Sequence, residues 1–92
     1  MNSASAVTTL IVDDSASMRR VVRNVLGRLS ECQIVGEGAN GREALDLVRR
    51  HQPGLVIMDV NMPVMGGIEA LRLLKSESPK VRVVMMSLEF EP

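Results

Sequence analysis

Polar side chains that could bind a metal ion or a phosphoryl group follow three apolar runs of this sequence. Asp13 and Asp14 come directly after "VTTLIV". Asp59 ends the run "LVIMD", and Ser87 ends the run "VRVVMMS". One aspartate at the end of a strand is commonly only a turn or cap residue. If these runs are parallel strands, however, their carboxyl ends meet at one edge of a sheet, and the three carboxylates converge there.

Three neighbouring carboxylates would favour a bound divalent cation. Close negative charges resist ionising together, and a cation relieves their repulsion. An all-oxygen ligand set favours Mg²⁺, which commonly keeps some of its waters. Beside such a cation, a carboxylate can attack phosphorus and form an aspartyl-phosphate. Asp59 ends the predicted central strand and is the best-placed nucleophile, and the backbone carbonyl of Asn61 is a further possible ligand.

The elements that must position these side chains alternate along the chain. Strands are predicted at Val7–Val12, 33–38, Leu55–Asp59 and 81–87, and helices are predicted at 17–29, 40–50 and 67–76. The short connections between them predict parallel strand–helix–strand units with right-handed crossovers, and therefore an α/β fold.

Helical periodicity and cap residues support the three helices. Ser15 or Ser17 is the expected N-cap of the first helix. Asn40 with Glu43 forms a predicted capping box for the second. The apolar residues predicted for the three helix faces are, in chain order, Met18, Val21, Val22, Val25, Leu26 and Leu29; Ala44, Leu45, Leu47 and Val48; and Ile68, Leu71 and Leu74.

Composition excludes several classes of function. The 11 basic and 11 acidic residues cancel, which argues against a general nucleic-acid binder. A cluster of basic residues in the first helix is interpreted as a solvated face: Arg19, Arg20, Arg23 and Arg28. Cys32 is the single cysteine, so no intrachain disulfide can form, and no signal peptide or membrane span is predicted. We therefore expect a cytoplasmic protein without membrane or nucleic-acid contacts.

Two segments resemble the receiver domain of two-component response regulators. "LIVDDSASMRRVVRNVL" is similar to the acidic pair and first helix of receivers, above all of the single-domain chemotaxis type. "VIMDVNMPVMGGIEAL" contains the family's D-x-x-M-P-x-M-x-G pattern in full. The resemblance covers residues 7–87. It implies a flavodoxin-like open parallel sheet with strand order 2-1-3-4, Mg²⁺ as cofactor, and a sensor histidine kinase as the phosphoryl donor.

The resemblance also implies a role for each acidic residue. Asp59 matches the phosphorylated aspartate. Asp14 matches the direct Mg²⁺ ligand, and Asp13 matches its partner, which often binds through water. Asn61 matches the residue whose backbone carbonyl binds the metal.

Residues around the acidic positions match as well, with one exception. Ser87 matches the hydroxyl residue that turns towards the phosphoryl group, and Pro63 and Gly67 match the loop behind the acceptor. The lysine that receivers carry after a fifth strand has no counterpart here. Lys75 lies on the third predicted helix, and Lys80 precedes the fourth predicted strand.

A complete receiver has five strands and five helices, and this sequence accounts for four strands and three helices. We therefore expect a truncated receiver at residues 7–87, after a disordered start at 1–6 and before a tail at 88–92 of possible non-native origin. The chain is then either a fragment or a natural minimal receiver. The fourth strand would be an exposed edge, and the first helix would lack cover, which predicts a homodimer or larger self-association.

Two other functions remain open at this point. The chain could be a non-phosphorylated interaction module that self-associates through its fourth strand. It could also be a phosphatase of the haloacid-dehalogenase type, but those enzymes need an acid where this sequence has Asn61. The receiver interpretation makes the protein a phosphorylation-controlled switch and not an enzyme in the usual sense.

Overall fold

The computed structural model describes residues 6–87, which form one parallel sheet and three helices. The strands are β1 Val7–Val12, β2 Cys32–Gly38, β3 Leu55–Asp59 and β4 Arg82–Met86; the helices are α1 Ala16–Leu26, α2 Gly41–His51 and α3 Gly67–Glu77. None of these helices is long and apolar enough to cross a membrane. The predicted disordered start, 1–6, lies outside the described residues except for Ala6, and the predicted non-native tail, 88–92, lies wholly outside them.

The sheet has the order β2-β1-β3-β4 with every pair parallel, which confirms the predicted order. β1 and β3 are the two central strands because the chain crosses back over β1 after it has formed β2 and α2. Their paired residues Leu10 and Val56 are fully buried. Central parallel strands are covered on both faces, and this explains the unbroken apolar runs in the sequence.

The hydrophobic core lies mainly between the central strands and the helices α2 and α3. Its buried members are Leu10, Val12, Ala44, Leu45, Val48, Val56, Met58, Ala70, Leu74 and Val81. Full burial of a Leu, Val or Met side chain contributes roughly 1.5–3 kcal/mol. The core is aliphatic throughout, so this burial is what holds the two helices on the sheet.

The buried stripe of α3 differs from the predicted one. Leu74 is buried as predicted, but Ile68 is 52% exposed. Gly67 and Ala70 face the core instead, three residues apart and in line with Leu74. The start of α3 lies so close to the sheet that only small residues fit there, and Ile68 is turned away from the core as a result.

α1 is the least covered helix. Its N-cap is Ser15, whose hydroxyl oxygen accepts a hydrogen bond from the Met18 amide at 3.2 Å. None of its residues is buried, and Val21 and Val25 are 52% and 57% exposed. The helix ends at Leu26, so the prediction that it continues through position 29 is wrong. The Gly27 amide donates to the Arg23 carbonyl at 2.8 Å, and the chain leaves the helix there.

α2 begins at the predicted capping box. The Glu43 amide donates to Asn40 Oδ1 at 2.9 Å, and Glu43 Oε1 accepts from the Ala39 amide at 2.8 Å. Gly41, which directly follows the N-cap Asn40, donates its amide hydrogen to the Met65 carbonyl at 2.8 Å. A Cβ atom at Gly41 would lie 2.7 Å from that same carbonyl oxygen, so the close approach requires glycine. The start of α2 is thereby fixed to the loop that follows β3.

Candidate metal and phosphoryl site

An acidic cluster lies at the carboxyl edge of the sheet. Asp13, Asp14 and Asp59 each offer a carboxylate oxygen, and these oxygens lie within 4.8 Å of one another. The cause is the pairing of the central strands, in which Val12 is the register partner of Met58. The residues that follow these partners, Asp13 and Asp59, therefore leave the sheet side by side.

Asp13 is the buried member of the cluster, with 4% of its surface exposed. Its amide donates to the Gly38 carbonyl at 3.0 Å, and its Oδ1 accepts from the Ser15 amide at 2.8 Å. Burial raises the pKa of the Asp13 carboxyl, and the charges of Asp59 and Asp14 raise it further, although the Ser15 amide opposes the change. Negative charge is therefore concentrated here at a cost in free energy.

The cluster fits a Mg²⁺ ion in both ligand chemistry and charge. Carboxylate oxygens are the ligands that Mg²⁺ prefers. A divalent cation would also offset the charges of Asp59 and Asp14, which add to the effect of burial on the pKa of Asp13. Asp14 is exposed and Asp59 is partly exposed, so both can be reached from solvent. One anchored carboxylate and two accessible ones leave room for the waters that Mg²⁺ retains.

The loop after β3 turns sharply behind Asp59. A Cβ atom at Gly67 would lie 2.2 Å from the Asp59 carbonyl oxygen, so no larger residue fits at that position. The Gly67 amide donates to the Val60 carbonyl at 2.8 Å, which closes the turn. Pro63 lies at the exposed outer part of this loop, and Val64 beside it has a φ of 68°, a conformation that β-branched residues rarely adopt. The loop thus brings the start of α3 against the backbone of Asp59.

Ser87 and Asn61 lie near the cluster by their position in the chain. Ser87 is exposed and follows Met86, the register partner of Asp59. The Val60 amide donates to the Met86 carbonyl at 3.0 Å, so the ends of β3 and β4 stay together beyond the strands. Asn61 is exposed and lies two residues after Asp59 in the same loop.

The two lysines, Lys75 and Lys80, lie far from the acidic cluster. Lys75 Nζ donates to the carbonyls of Pro79 and Val81 at 3.1 and 2.8 Å, next to the start of β4. Lys80 lies in the same turn. Both residues are at the amino edge of the sheet, and the acidic cluster is at the carboxyl edge.

Sequence reasoning missed one group of residues beside the cluster. Arg19 was interpreted as part of a solvated face, but its Nη1 donates to the Asp13 carbonyl and its Nε to Glu37 Oε1. Arg23 donates to the other oxygen of Glu37. An acid near the end of the second predicted strand, opposite an arginine-rich helix, was the available signal for this contact.

A cleft of about 410 Å³ lies at the opposite, amino edge of the sheet. It is lined in part by Pro53 and Val81, which precede the strands β3 and β4. Its one carboxylate, Glu77, is bound by Arg49 through two hydrogen bonds of 2.9 and 2.8 Å. With that acid paired, the cleft lacks the convergent ligands of the acidic cluster, and the cluster is the better candidate site.

The chain resembles known proteins over nearly its whole length. Residues 9–91 match the family model described as "Response regulator receiver domain". The protein-glutamate methylesterase/protein-glutamine glutaminase 1 of Methanosarcina mazei is 45% identical over 83 residues, which are 90% of this chain and 23% of that protein. This chain thus spans less than a quarter of that relative's length.

Solved structures agree with the sequence match. The response regulator domain of Thermotoga maritima CheB superposes with a TM-score of 0.85 and 36% identity, over 89% of this chain and 60% of that one. A chain of the CheX–CheY–BeF₃⁻–Mg²⁺ complex from Borrelia burgdorferi gives a TM-score of 0.84 and 25% identity, over 95% of this chain and 71% of that one. The family match, the acidic cluster, the strand order and these likenesses together show that the chain belongs to the response regulator receiver domain family.

Proposed function

We propose that this receiver accepts a phosphoryl group on Asp59 from the phosphohistidine of a sensor histidine kinase. The observation that carries the proposal is the convergence of three carboxylate oxygens within 4.8 Å at the end of the central strands. Asp13, Asp14, Asp59 and the backbone carbonyl of Asn61 are the proposed ligands of a Mg²⁺ ion. The bound ion would offset the charge on the phosphoryl oxygens during transfer.

The residues of the site perform the transfer by position. An Asp59 oxygen attacks the phosphorus atom, and a P–O bond forms as the P–N bond of the phosphohistidine breaks. The electron pair of the broken bond stays on the imidazole nitrogen, which takes up a proton. Asp59 is partly exposed and follows a fully buried strand residue, Met58, so its carboxylate is held firmly but remains open to the donor.

Ser87 is the proposed sensor of the phosphoryl group. It lies one residue beyond Met86, the partner of Asp59 across the β3–β4 pair, and this short separation supports a hydroxyl that turns towards a phosphorylated Asp59. The loop residues Pro63 and Gly67 are proposed to keep the acceptor in place. No lysine of the described residues lies near this edge, so Ser87 is the proposed polar residue that reports phosphorylation.

The proposed setting is cytoplasmic signalling of the chemotaxis type, with a histidine kinase as partner and without nucleic-acid or membrane contacts. The similarity to the CheB response regulator domain and to the methylesterase relatives supports this setting. The role that we propose is signal reception as a switch, and not chemistry on a glutamate side chain.

Self-association is a further part of the proposal. Within residues 6–87, β4 pairs with β3 on one side and with no strand on the other. Val84 on this edge is 50% exposed, as are Val21 and Val25 of α1 at 52% and 57%. Unpaired edges and exposed apolar surface both favour contact with another copy. The alternative of an interaction module that is never phosphorylated rests on the same edge.

A phosphorylation assay tests the main proposal. The chain is incubated with Mg²⁺ and acetyl phosphate, and its mass is measured before hydrolysis. We expect one added phosphoryl group, lost when a chelator is present or when Asp59→Asn is used, and retained in Ser87→Ala. A wild-type chain that folds but never gains mass would contradict the proposal and favour the interaction module.

A further inference from the structure

We infer that Arg19 is a positioning residue for the metal site, an inference that rests on the proposed Mg²⁺-dependent function. Arg19 lies in the first turns of α1, and its side chain is only 20% exposed. Its Nη1 donates to the backbone carbonyl of Asp13, and its Nε donates to Glu37 Oε1 at 3.1 Å. One guanidinium therefore joins the acidic pair to the end of β2.

Glu37 anchors this guanidinium. It is the residue before the last of β2, and each of its carboxylate oxygens accepts from a different arginine, Arg19 or Arg23. The Arg23 contact, and then the Arg19 contact, hold the pKa of Glu37 below its ordinary value, so the acid is charged near neutral pH. A planar guanidinium has donors that point in several directions, and it can hold two acceptors at fixed angles.

The hydrogen bond from Arg19 to the Asp13 carbonyl is the third that holds Asp13 in place. Its amide is held by the Gly38 carbonyl, its Oδ1 by the Ser15 amide, and its carbonyl by Arg19. Asp13 keeps one carboxylate oxygen for a cation, and the direction of that oxygen depends on the three bonds. Groups that orient metal ligands in this way commonly change metal affinity by 10- to 100-fold.

Charge and geometry make opposite predictions for the removal of Arg19. A positive charge beside the cluster repels a cation, so loss of the charge alone would tighten metal binding. Loss of the fixed geometry would weaken it. Arg20 is the matched control because it is exposed, carries the same charge on the same helix, and forms no hydrogen bond or ion pair within residues 6–87.

The test measures metal affinity directly. The chain has no Trp or Tyr for fluorescence, so Mn²⁺ is titrated and followed by electron paramagnetic resonance, with Mg²⁺ as competitor. For Arg19→Ala we expect the dissociation constant to rise about tenfold, the low end of the range for such groups. Arg20→Ala should bind as wild type does, or slightly more tightly. Arg19→Lys keeps the charge but lacks the planar group that holds two acceptors at fixed angles, so its affinity should be intermediate.

Two further measurements separate positioning from general stability. Glu37→Gln leaves Arg19 in place but loosens its anchor, and it should weaken metal binding in the same direction by a smaller factor. Hydrogen exchange of the Ser15 amide, measured without metal, should speed up in Arg19→Ala and not in Arg20→Ala. If Arg19→Ala binds Mn²⁺ as tightly as Arg20→Ala, the inference is wrong. If the folded wild type binds no metal, it is the proposed function that fails.

Discussion

Asp13 combines burial, negative neighbours and a fixed backbone in one residue. Only 4% of its surface is exposed, and the pKa of its carboxyl is raised by burial and by the charges of Asp59 and Asp14. In a metal-free chain the ionised form of Asp13 therefore opposes folding. A raised pKa in the folded state means that the folded chain holds the proton more tightly than the unfolded chain. This contribution to stability is present at low pH and is lost as the pH rises through the folded value.

Asp13→Asn should stabilise the metal-free chain and abolish its response to Mg²⁺. The amide keeps the size of the side chain and removes the buried charge. For the wild type, Mg²⁺ at 100 times its dissociation constant should add about 2.7 kcal/mol to the free energy of unfolding. Urea unfolding followed by circular dichroism at pH 7, with chelator and then with Mg²⁺, measures both effects.

The control for that experiment is the same unfolding measurement repeated at low pH. Near pH 3 the wild-type carboxyl is itself protonated, so the two chains should have similar metal-free stability there. A variant that remains as responsive to Mg²⁺ as the wild type would show that Asp13 is not a ligand.

At the scale of elements, the sequence patterns correctly predicted those features that depend on neighbouring residues in the chain. The bounds of β1 and β3 follow from apolar runs that end in acids, and the start of α2 follows from the Asn40 and Glu43 capping box. Ile68 was placed on the wrong face because the close approach of α3 to Asp59 involves residues of another element. The Arg19 contact was missed for the same reason, since it depends on where β2 lies beside α1. The three aspartates could be assigned to one edge because parallel strands fix where their ends lie.

Gly67→Ala should disturb both the fold and the backbone of Asp59. The new Cβ would meet the Asp59 carbonyl oxygen at 2.2 Å and Met85 Cε at 2.7 Å, so backbone must move. Overpacking of this kind costs about 3 kcal/mol. Urea unfolding measures the loss, and the acetyl phosphate assay should show slower phosphorylation of the fraction that folds.

Gly66→Ala is the matched control for that variant. Its Cβ would lie 3.3 Å from the Val60 carbonyl oxygen, a tight contact that a small shift can relieve. Its φ of −76° is open to alanine. Equal destabilisation by the two variants would contradict the view that contact with Asp59 makes glycine necessary at position 67.

At the scale of the whole molecule, the described chain is covered unevenly. α2 and α3 bury one face of the sheet, whereas α1 alone lies over the other, with no buried residue of its own. The exposed valines of α1 and the edge strand β4 belong to this thinly covered part of the molecule. The formal net charge is zero, so no overall repulsion keeps copies apart near neutral pH.

The wild-type chain should therefore elute as more than one 10.0 kDa protomer in size-exclusion chromatography with light scattering at micromolar concentration. Val84→Lys puts a charge on the edge strand and should shift the chain towards the monomer. Val64→Lys is the matched control, since Val64 is 82% exposed but lies in a loop. A folded wild-type monomer at these concentrations would rule out self-association.

The strand order has a consequence for the time course of folding. β1 and β3 are neighbours in the sheet, yet the whole of α1, β2 and α2 separates them along the chain. Pairing of strands so distant in sequence is slow because a long loop must close first. The acidic pair at the end of β1 meets Asp59 only after that closure. A metal ion that needs both the acidic pair and Asp59 would therefore not bind the early, partly folded chain. It would bind only when β1 and β3 have paired, so metal uptake during refolding would mark a late step of folding.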